Sequence, residues 1–297
     1  MAKIGIFDSG VGGLSVFREI RKVLPEEAYI YYSDSANCPY GEKSIEFIIE
    51  RCREITEFLL RNGADIIVVA CNTATAAAIK TLRTEYSDVS DKEVRERVLG
   101  ITEGRIDHVL FIGMEPAIKP AAQMTVSGVI GVLATAGTLK SEKYLRHKEK
   151  YASDIRIVEH IGEGFVELVE KGATSGTDAE AVVRSSLEPL IAAGADTIVL
   201  GCTHYPFLSD VIYKATEDIL NRRLNGSDTD ADYIRSVSRN KIRLIDPAPA
   251  IAKHLIEVMD EEGITYGPSD GKSFQIDLHS SGDISILHHL YRTMRGA

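Results

Sequence analysis

Residues 63–71 read GADIIVVAC and residues 194–202 read GADTIVLGC. Each copy is Gly-Ala-Asp, then an apolar, β-branched run of the length and composition of a strand buried on both faces, then a cysteine, then residues suited to starting a helix. Open α/β sheets hold ligand-binding groups at the carboxyl ends of their strands, which is where this pattern puts Cys71 and Cys202. A second pair supports the first: IGIFDSGVGGLS at 4–15 aligns without gaps against IGVLATAGTLKS at 130–141. Ile4 to Ile130 is a step of 126 residues and Cys71 to Cys202 a step of 131, so the repeat is far longer than a solenoid unit of roughly 20–50 residues. The expected fold class is α/β, two doubly wound parallel-sheet lobes facing one another across a cleft to which each lobe donates one cysteine.

The chain length of 297 residues agrees, because a single hydrophobic core stops growing at about 250–300 residues. The lobes are expected at 1–112 plus 241–297 and at 113–240. A net charge of −10 argues against nucleic-acid or anionic-membrane partners, which recruit basic surface. No apolar run reaches the 18 or so residues of a membrane span and the first residues enter a strand directly, so a cytoplasmic location is expected. Cys38, Cys52, Cys71 and Cys202 show no Cys-x-x-Cys spacing, which argues against a disulfide framework or zinc ribbon.

Strands are expected at Lys3–Phe7, Ala28–Tyr32, Val129–Leu133, Ile155–His160 and Ile242–Ile245, besides the two that end on cysteines. Helices are expected at Leu14–Val23, Ile45–Asn62, Asn72–Arg83, Glu115–Met124, Phe165–Lys171, Asp178–Ala193 and Ala248–Met259. Within Ile45–Asn62 the apolar stripe comprises Ile45, Ile48, Ile49, Cys52, Ile55, Phe58 and Leu59, which makes Cys52 a core residue. The segment 85–108 reads as a polar surface insertion with one short helix, and 222–240 as a second polar insertion. The strand at 242–245, the helix after it and the tail are expected to return to the first lobe.

A thiol just ahead of a helix N-terminus is stabilised as thiolate and can serve as nucleophile or base. Two such thiols facing one carbon from opposite sides can remove a proton and deliver another, inverting a stereocentre. Asp8 is placed to orient or deprotonate Cys71, and His204 to serve Cys202. Plainer readings stand beside these: Asp8 or Ser9 as a helix cap, His204 as a loop histidine, and each cysteine as a small hydrophobe. Zinc is a further alternative, since Asp8, Cys71, Cys202 and His204 are all possible ligands, but they lack paired ligand spacing and lie among hydroxyl and amide groups. No metal and no cofactor is expected. DSGVGG lacks the dinucleotide spacing, and no lysine stands out as a pyridoxal anchor. A noncatalytic two-lobed binder of an anionic small molecule is the other class of reading.

The motifs DSGVGGLSV, PYGEKS, VVACNTATA, GVLATAGTLKS and LGCTHYPFL resemble, in order and over nearly the whole chain, the cofactor-independent aspartate/glutamate racemase superfamily and within it the glutamate branch. The resemblance implies two α/β lobes related by a pseudo-twofold axis, glutamate as substrate, a homodimer, and supply of D-glutamate for peptidoglycan. It implies that Cys71 is the base toward D-glutamate and Cys202 the base toward L-glutamate, assisted by Asp8 and His204 respectively. Asp8, Ser9, Tyr40, Gly41, Asn72, Thr73, Thr203 and His204 match substrate-holding positions, with Thr75, Thr135 and Thr138 as further candidates. Glu170 matches a family glutamate, although Glu167 stands where the family shows proline and Glu163 lies close by. Related chemistries of the superfamily, racemisation of aspartate or hydantoins and decarboxylation of malonates, fit the same motifs.

Overall fold

The structure is a computed structural model that describes residues 2–151, 153–225, 242–266 and 275–295. The chain forms two compact units, Met1–Glu115 with Ala248–Ala297, and Pro116–Pro247.

The first unit holds strands β1 (Lys3–Asp8), β2 (Ala28–Ser33), β3 (Ile66–Val69), β4 (Leu110–Gly113) and, from the tail, β9 (Gln275–Ser280), in the order β4-β3-β1-β2-β9. All pairs are parallel. Its helices are α1 (Leu14–Val23), α2 (Ile45–Arg61), α3 (Asn72–Tyr86), α4 (Lys92–Ile101), α11 (Ala248–Glu261) and α12 (Ile284–Arg295). The second unit holds β5 (Val129–Ala134), β6 (Arg156–Ile161), β7 (Thr197–Gly201) and β8 (Arg243–Ile245), in the order β6-β5-β7-β8 and again all parallel. Its helices are α5 (Ile118–Met124), α6 (Ala136–Lys140), α7 (Glu142–Tyr151), α8 (Phe165–Glu170), α9 (Thr177–Ala192) and α10 (Ser209–Asn225).

The repeat seen in sequence is a repeat of register. Ile4 pairs with Ile66 in the first sheet and Ile130 with Thr197 in the second, the same alignment once the two offsets are applied. Gly-Ala-Asp has a distinct task at each letter. Gly63 and Gly194 take left-handed φ of 94° and 97° just past α2 and α9, a conformation that favours glycine. The following amides then close the helix ends: Ala64 N–H to Leu59 O at 3.0 Å and Ala195 N–H to Leu190 O at 3.1 Å. The aspartates tie down strand entrances. Asp65 Oδ2 accepts from Lys3 N–H at 2.8 Å, and Asp196 Oδ2 accepts from the Val126 and Ser127 amides at 2.7 and 2.8 Å. Close helix-on-sheet packing also recurs: a Cβ on Gly5 would lie 3.2 Å from Leu59, and one on Gly131 would lie 3.0 Å from Leu190.

Three expectations change, and strands β4 and β9 form where none was expected. The strand at 242–245 does not return to the first sheet; β8 pairs with β7, Thr197 opposite Arg243, and is the counterpart of β4. β4 itself, four residues behind a charged stretch, is too short to carry a periodic signal. Ile45 is 60% exposed at the first position of α2, because the chain enters that helix from the outside. The polar segment at 222 begins inside α10, which runs to Asn225, and residues 226–240 lie outside the described residues. Cys52 is buried as expected, and burial pushes its thiol pKa well up, which keeps it neutral.

Candidate active site

In the first unit the candidate residues gather at the carboxyl ends of β1 and β3. Asp8 ends β1, fully buried, and its Oδ2 accepts from the Gly13 N–H at 2.9 Å and the Gly10 N–H at 3.4 Å. Only glycine fits at position 13, since a Cβ there would lie 2.7 Å from the Asp8 Cβ and 2.8 Å from the Tyr31 hydroxyl. Cys71 is extended (φ −116°, ψ 125°) and is itself the N-cap of α3. Its Sγ accepts from the Ala74 N–H at 3.4 Å, and its thiol donates to Ser9 Oγ at 3.5 Å. Sulfur thus occupies the place usually held by a Ser or Asp oxygen, where the first helical amides and the positive end of the helix dipole favour a negatively charged atom.

Beside it, Asn72 Nδ2 is buried without a hydrogen-bond partner. An unmet donor of this kind costs about 1–3 kcal/mol, which an incoming acceptor relieves. Thr73 is buried next to it. Thr75 points elsewhere: its hydroxyl donates to Val69 O at 3.1 Å and accepts from Met114 N–H at 3.0 Å, stitching α3 to β3 and to the end of β4. Tyr40 and Gly41 form a single 3-10 turn, Tyr40–Glu42. The Tyr40 hydroxyl donates to Asp34 Oδ2 at 2.6 Å, so what this turn offers a ligand is its backbone amides, which have no intrahelical acceptor at a helix start.

In the second unit the corresponding strand end carries Cys202, Thr203 and His204, all buried. No long helix starts directly behind this cysteine. A 3-10 turn, Tyr205–Leu208, intervenes before α10, so Cys202 lacks the capping position that Cys71 has. A histidine takes over that task. Cys202 Sγ lies 3.6 Å from His204 Nδ1, and His204 Nε2 lies 2.6 Å from Glu170 Oε1. An ionised carboxylate only accepts, so Nε2 carries a proton, and in the neutral imidazole Nδ1 then presents a lone pair to the thiol.

Glu170 reaches His204 because α8 is packed onto that turn. Phe165 and Tyr205, both fully buried, meet edge to face at 4.8 Å, and the helix stops at Glu170 through Gly172 (φ 70°) with Ala173 N–H on Leu168 O at 2.8 Å. Glu163 is exposed at the other end of this segment. Thr135 caps α6, its oxygen accepting from Thr138 N–H at 3.3 Å while its hydroxyl donates to Thr138 Oγ1 at 3.0 Å.

Two residues that the sequence did not single out belong to the first cluster. Asp34, fully buried at the end of β2, is gripped by Arg51 through Nη2 on Oδ1 at 2.8 Å and Nε on Oδ2 at 3.0 Å. Burial opposes its charge, but the hydrogen bonds from Arg51, Tyr40, Ser281 and Asn37 outweigh that and hold its carboxyl below the usual 3.8. The only hint in sequence is an acidic residue at a strand end, the same signal as Asp8.

Comparison with known proteins is consistent with this geometry. The Asp/Glu/hydantoin racemase family model matches residues 4–255. The glutamate racemase of Ectopseudomonas mendocina (strain ymp) is 44% identical over 84% of this chain and 87% of its own length. The crystal structure of glutamate racemase isoform RacE1 from Bacillus anthracis superposes with a TM-score of 0.74 at 28% identity, covering 100% of this chain and 94% of that one. Escherichia coli glutamate racemase, solved in complex with L-glutamate and the activator UDP-MurNAc-ala, gives a TM-score of 0.69 at 29% identity over 99% and 95% of the two chains. The chain belongs to the Asp/Glu/hydantoin racemase family, on its glutamate racemase branch.

Proposed function

We propose that this protein interconverts L- and D-glutamate, with Cys71 and Cys202 as the two groups that exchange a proton at Cα. The observation that carries the reading is the repeated cysteine at equivalent strand ends, each sulfur with its own means of holding or passing on a proton. Cα–H of an amino acid is a very weak acid, so the base must be matched by stabilisation of the enediolate-like transition state. The amides of Tyr40 and Gly41, the Asn72 amide and the hydroxyls of Ser9, Thr73 and Thr203 are the donors proposed to hold the α-carboxylate and amino group. With L-glutamate, Cys202 passes its thiol proton to His204 Nδ1, the resulting thiolate takes the Cα proton, and Glu170 steadies the imidazolium. Cys71 delivers the new proton to the other face of the carbon. D-glutamate reverses the roles, with Asp8, at the end of the neighbouring strand β1, proposed to assist Cys71.

D-glutamate made in this way supplies peptidoglycan synthesis, and the protein acts in the cytoplasm as a homodimer. Among the described residues no helix is long and apolar enough to cross a membrane. Sedimentation velocity tests the dimer, and a single monomeric species over the micromolar range rejects it.

The reaction is tested by circular dichroism with each glutamate enantiomer, without added cofactor and after dialysis against a chelator. Activity is expected to persist. Cys71→Ala and Cys202→Ala are each expected to abolish racemisation in both directions, because every turnover needs one base and one acid. Near wild-type turnover in either variant would sink the two-thiol reading, and activity restored only by zinc would transfer it to a metal.

A further inference from the structure

The grip of Arg51 on Asp34 lies one step removed from any residue proposed to touch substrate. Arg51 projects from α2, its side chain only 20% exposed, and meets both carboxylate oxygens of Asp34 in a bidentate pair. Asp34 spends the same two oxygens on the Tyr40 hydroxyl at 2.6 Å and the Asn37 side-chain amide at 3.1 and 3.2 Å. Its backbone is held as well: Asp34 N–H donates to Asp8 O at 3.0 Å, and Asn37 N–H donates to Asp34 O at 2.9 Å. The segment from the end of β2 to the Tyr40–Glu42 turn is therefore tied to the Asp34 carboxylate at Asn37 and Tyr40, while Ala36 N–H is held separately by Ser281 Oγ at 3.1 Å. Tyr40 packs in the same core cluster as Cys71, so a shift of its ring moves the turn relative to the thiol.

A cation beside this buried carboxylate favours its charged form beyond what the neutral donors supply, and a charged carboxylate is what makes these hydrogen bonds strong and directional. Arg51 is that cation. Its planar fork fixes the orientation of the carboxylate as well as its charge, which the point charge of a lysine does not do.

We propose that Arg51 is a positioning residue for substrate binding: through Asp34 it sets the Tyr40–Gly41 turn whose amides receive the substrate carboxylate. The proposal rests on the reading of that turn as substrate-holding. Arg51 takes no part in proton transfer, and the turn it sets holds the carboxylate in the ground state as well as in the transition state, so its loss raises KM more than it lowers kcat.

The test compares Arg51→Met, Arg51→Lys, Tyr40→Phe and the Arg51→Met/Tyr40→Phe double variant, with thermal melts confirming that each is folded. Arg51→Met is expected to raise KM for both glutamate enantiomers about tenfold or more while kcat changes less than about threefold. Arg51→Lys is expected to fall between it and wild type. Because both single changes act through Asp34, the double variant should be no worse than about threefold beyond Arg51→Met. An unchanged KM, a fall in kcat alone, or multiplicative effects in the double variant would each overturn the proposal. Should Arg51→Met fail to fold, Arg51→Lys decides: a KM raised about threefold supports the proposal and a wild-type KM rejects it. Wild-type protein that does not racemise glutamate at all rejects the functional reading instead. In that event glutamate titrated calorimetrically into wild type and Arg51→Met still tests the binding role, and equal affinities or no binding to either would overturn it.

Discussion

At the scale of single residues, the two thiols are supported by different means, and the difference makes a prediction. Cys71 leans on the Ala74 amide in the first turn of α3, whereas Cys202 leans on His204, which Glu170 holds at 2.6 Å. Replacing His204 by Asn should slow proton transfer at Cys202 by about 10²-fold or more. L- and D-glutamate have equal free energies in achiral water, so the equilibrium constant is one and both directions must lose the same factor in kcat/KM, although kcat and KM can shift separately. Glu170→Gln should give a smaller loss of the same symmetric kind, because the amide can still accept from Nε2–H through its carbonyl but no longer steadies an imidazolium. Progress curves from each enantiomer measure this, and wild-type rates in His204→Asn would return the histidine to a structural role. The sequence showed the Cys-Thr-His order directly. Choosing between Glu163 and Glu170 required knowing that Phe165 packs on Tyr205, a contact 40 residues apart in the chain that no local pattern encodes.

At the scale of elements, the repeated Gly-Ala-Asp is a joint between a helix and a strand, and its partner is the glycine in the middle of each central strand. Leu59 on α2 and Leu190 on α9 come within 3.2 and 3.0 Å of where a methyl on Gly5 or Gly131 would sit. Gly5→Ala and Gly131→Ala are therefore expected to destabilise the protein by about 1–3 kcal/mol each through overpacking, with little effect on KM in the surviving folded enzyme. Urea unfolding midpoints check this, and unchanged midpoints would mean that α2 and α9 can move outward at little cost. The helices and strands with long apolar patterns were legible: Leu14–Val23 begins and ends where its periodicity says. β4 was not legible, and β8 was visible only as a strand. Each is a short edge strand whose place is decided by the neighbour it pairs with, β3 or β7.

At the scale of the whole molecule, acid stability follows from two buried aspartates, Asp34 in the first unit and Asp196 in the second. For Asp196 burial works against the charge, but the Thr125 hydroxyl and the Ser127 and Val126 amides outweigh it, so the carboxyl is held below the usual 3.8. A folded-state value below the unfolded one stabilises the protein fully above about pH 4, and the contribution is lost as pH falls through the folded value. Asp196→Asn should therefore lower stability at pH 7 by about 1–3 kcal/mol, and the gap from wild type should shrink toward pH 3. Urea titrations at the two pH values measure it; a gap that stays constant would mean that the aspartate acts by shape rather than charge.

What the sequence determined by itself was periodic or repeated: two α/β halves, the strands that end on Cys71 and Cys202, and the residue types needed to move a proton at carbon. Those features are local, since a buried parallel strand, a glycine helix stop and an N-cap are each decided within a few residues. The tertiary structure decided what depends on distant partners. It put β8 beside β7, gave the Thr75 hydroxyl to the backbone, turned the Tyr40 hydroxyl toward Asp34, and brought Glu170 to His204. Hydrogen bonds and edge pairing are satisfied by whichever group packing brings within about 3 Å, and packing is a property of the folded chain rather than of any stretch of it.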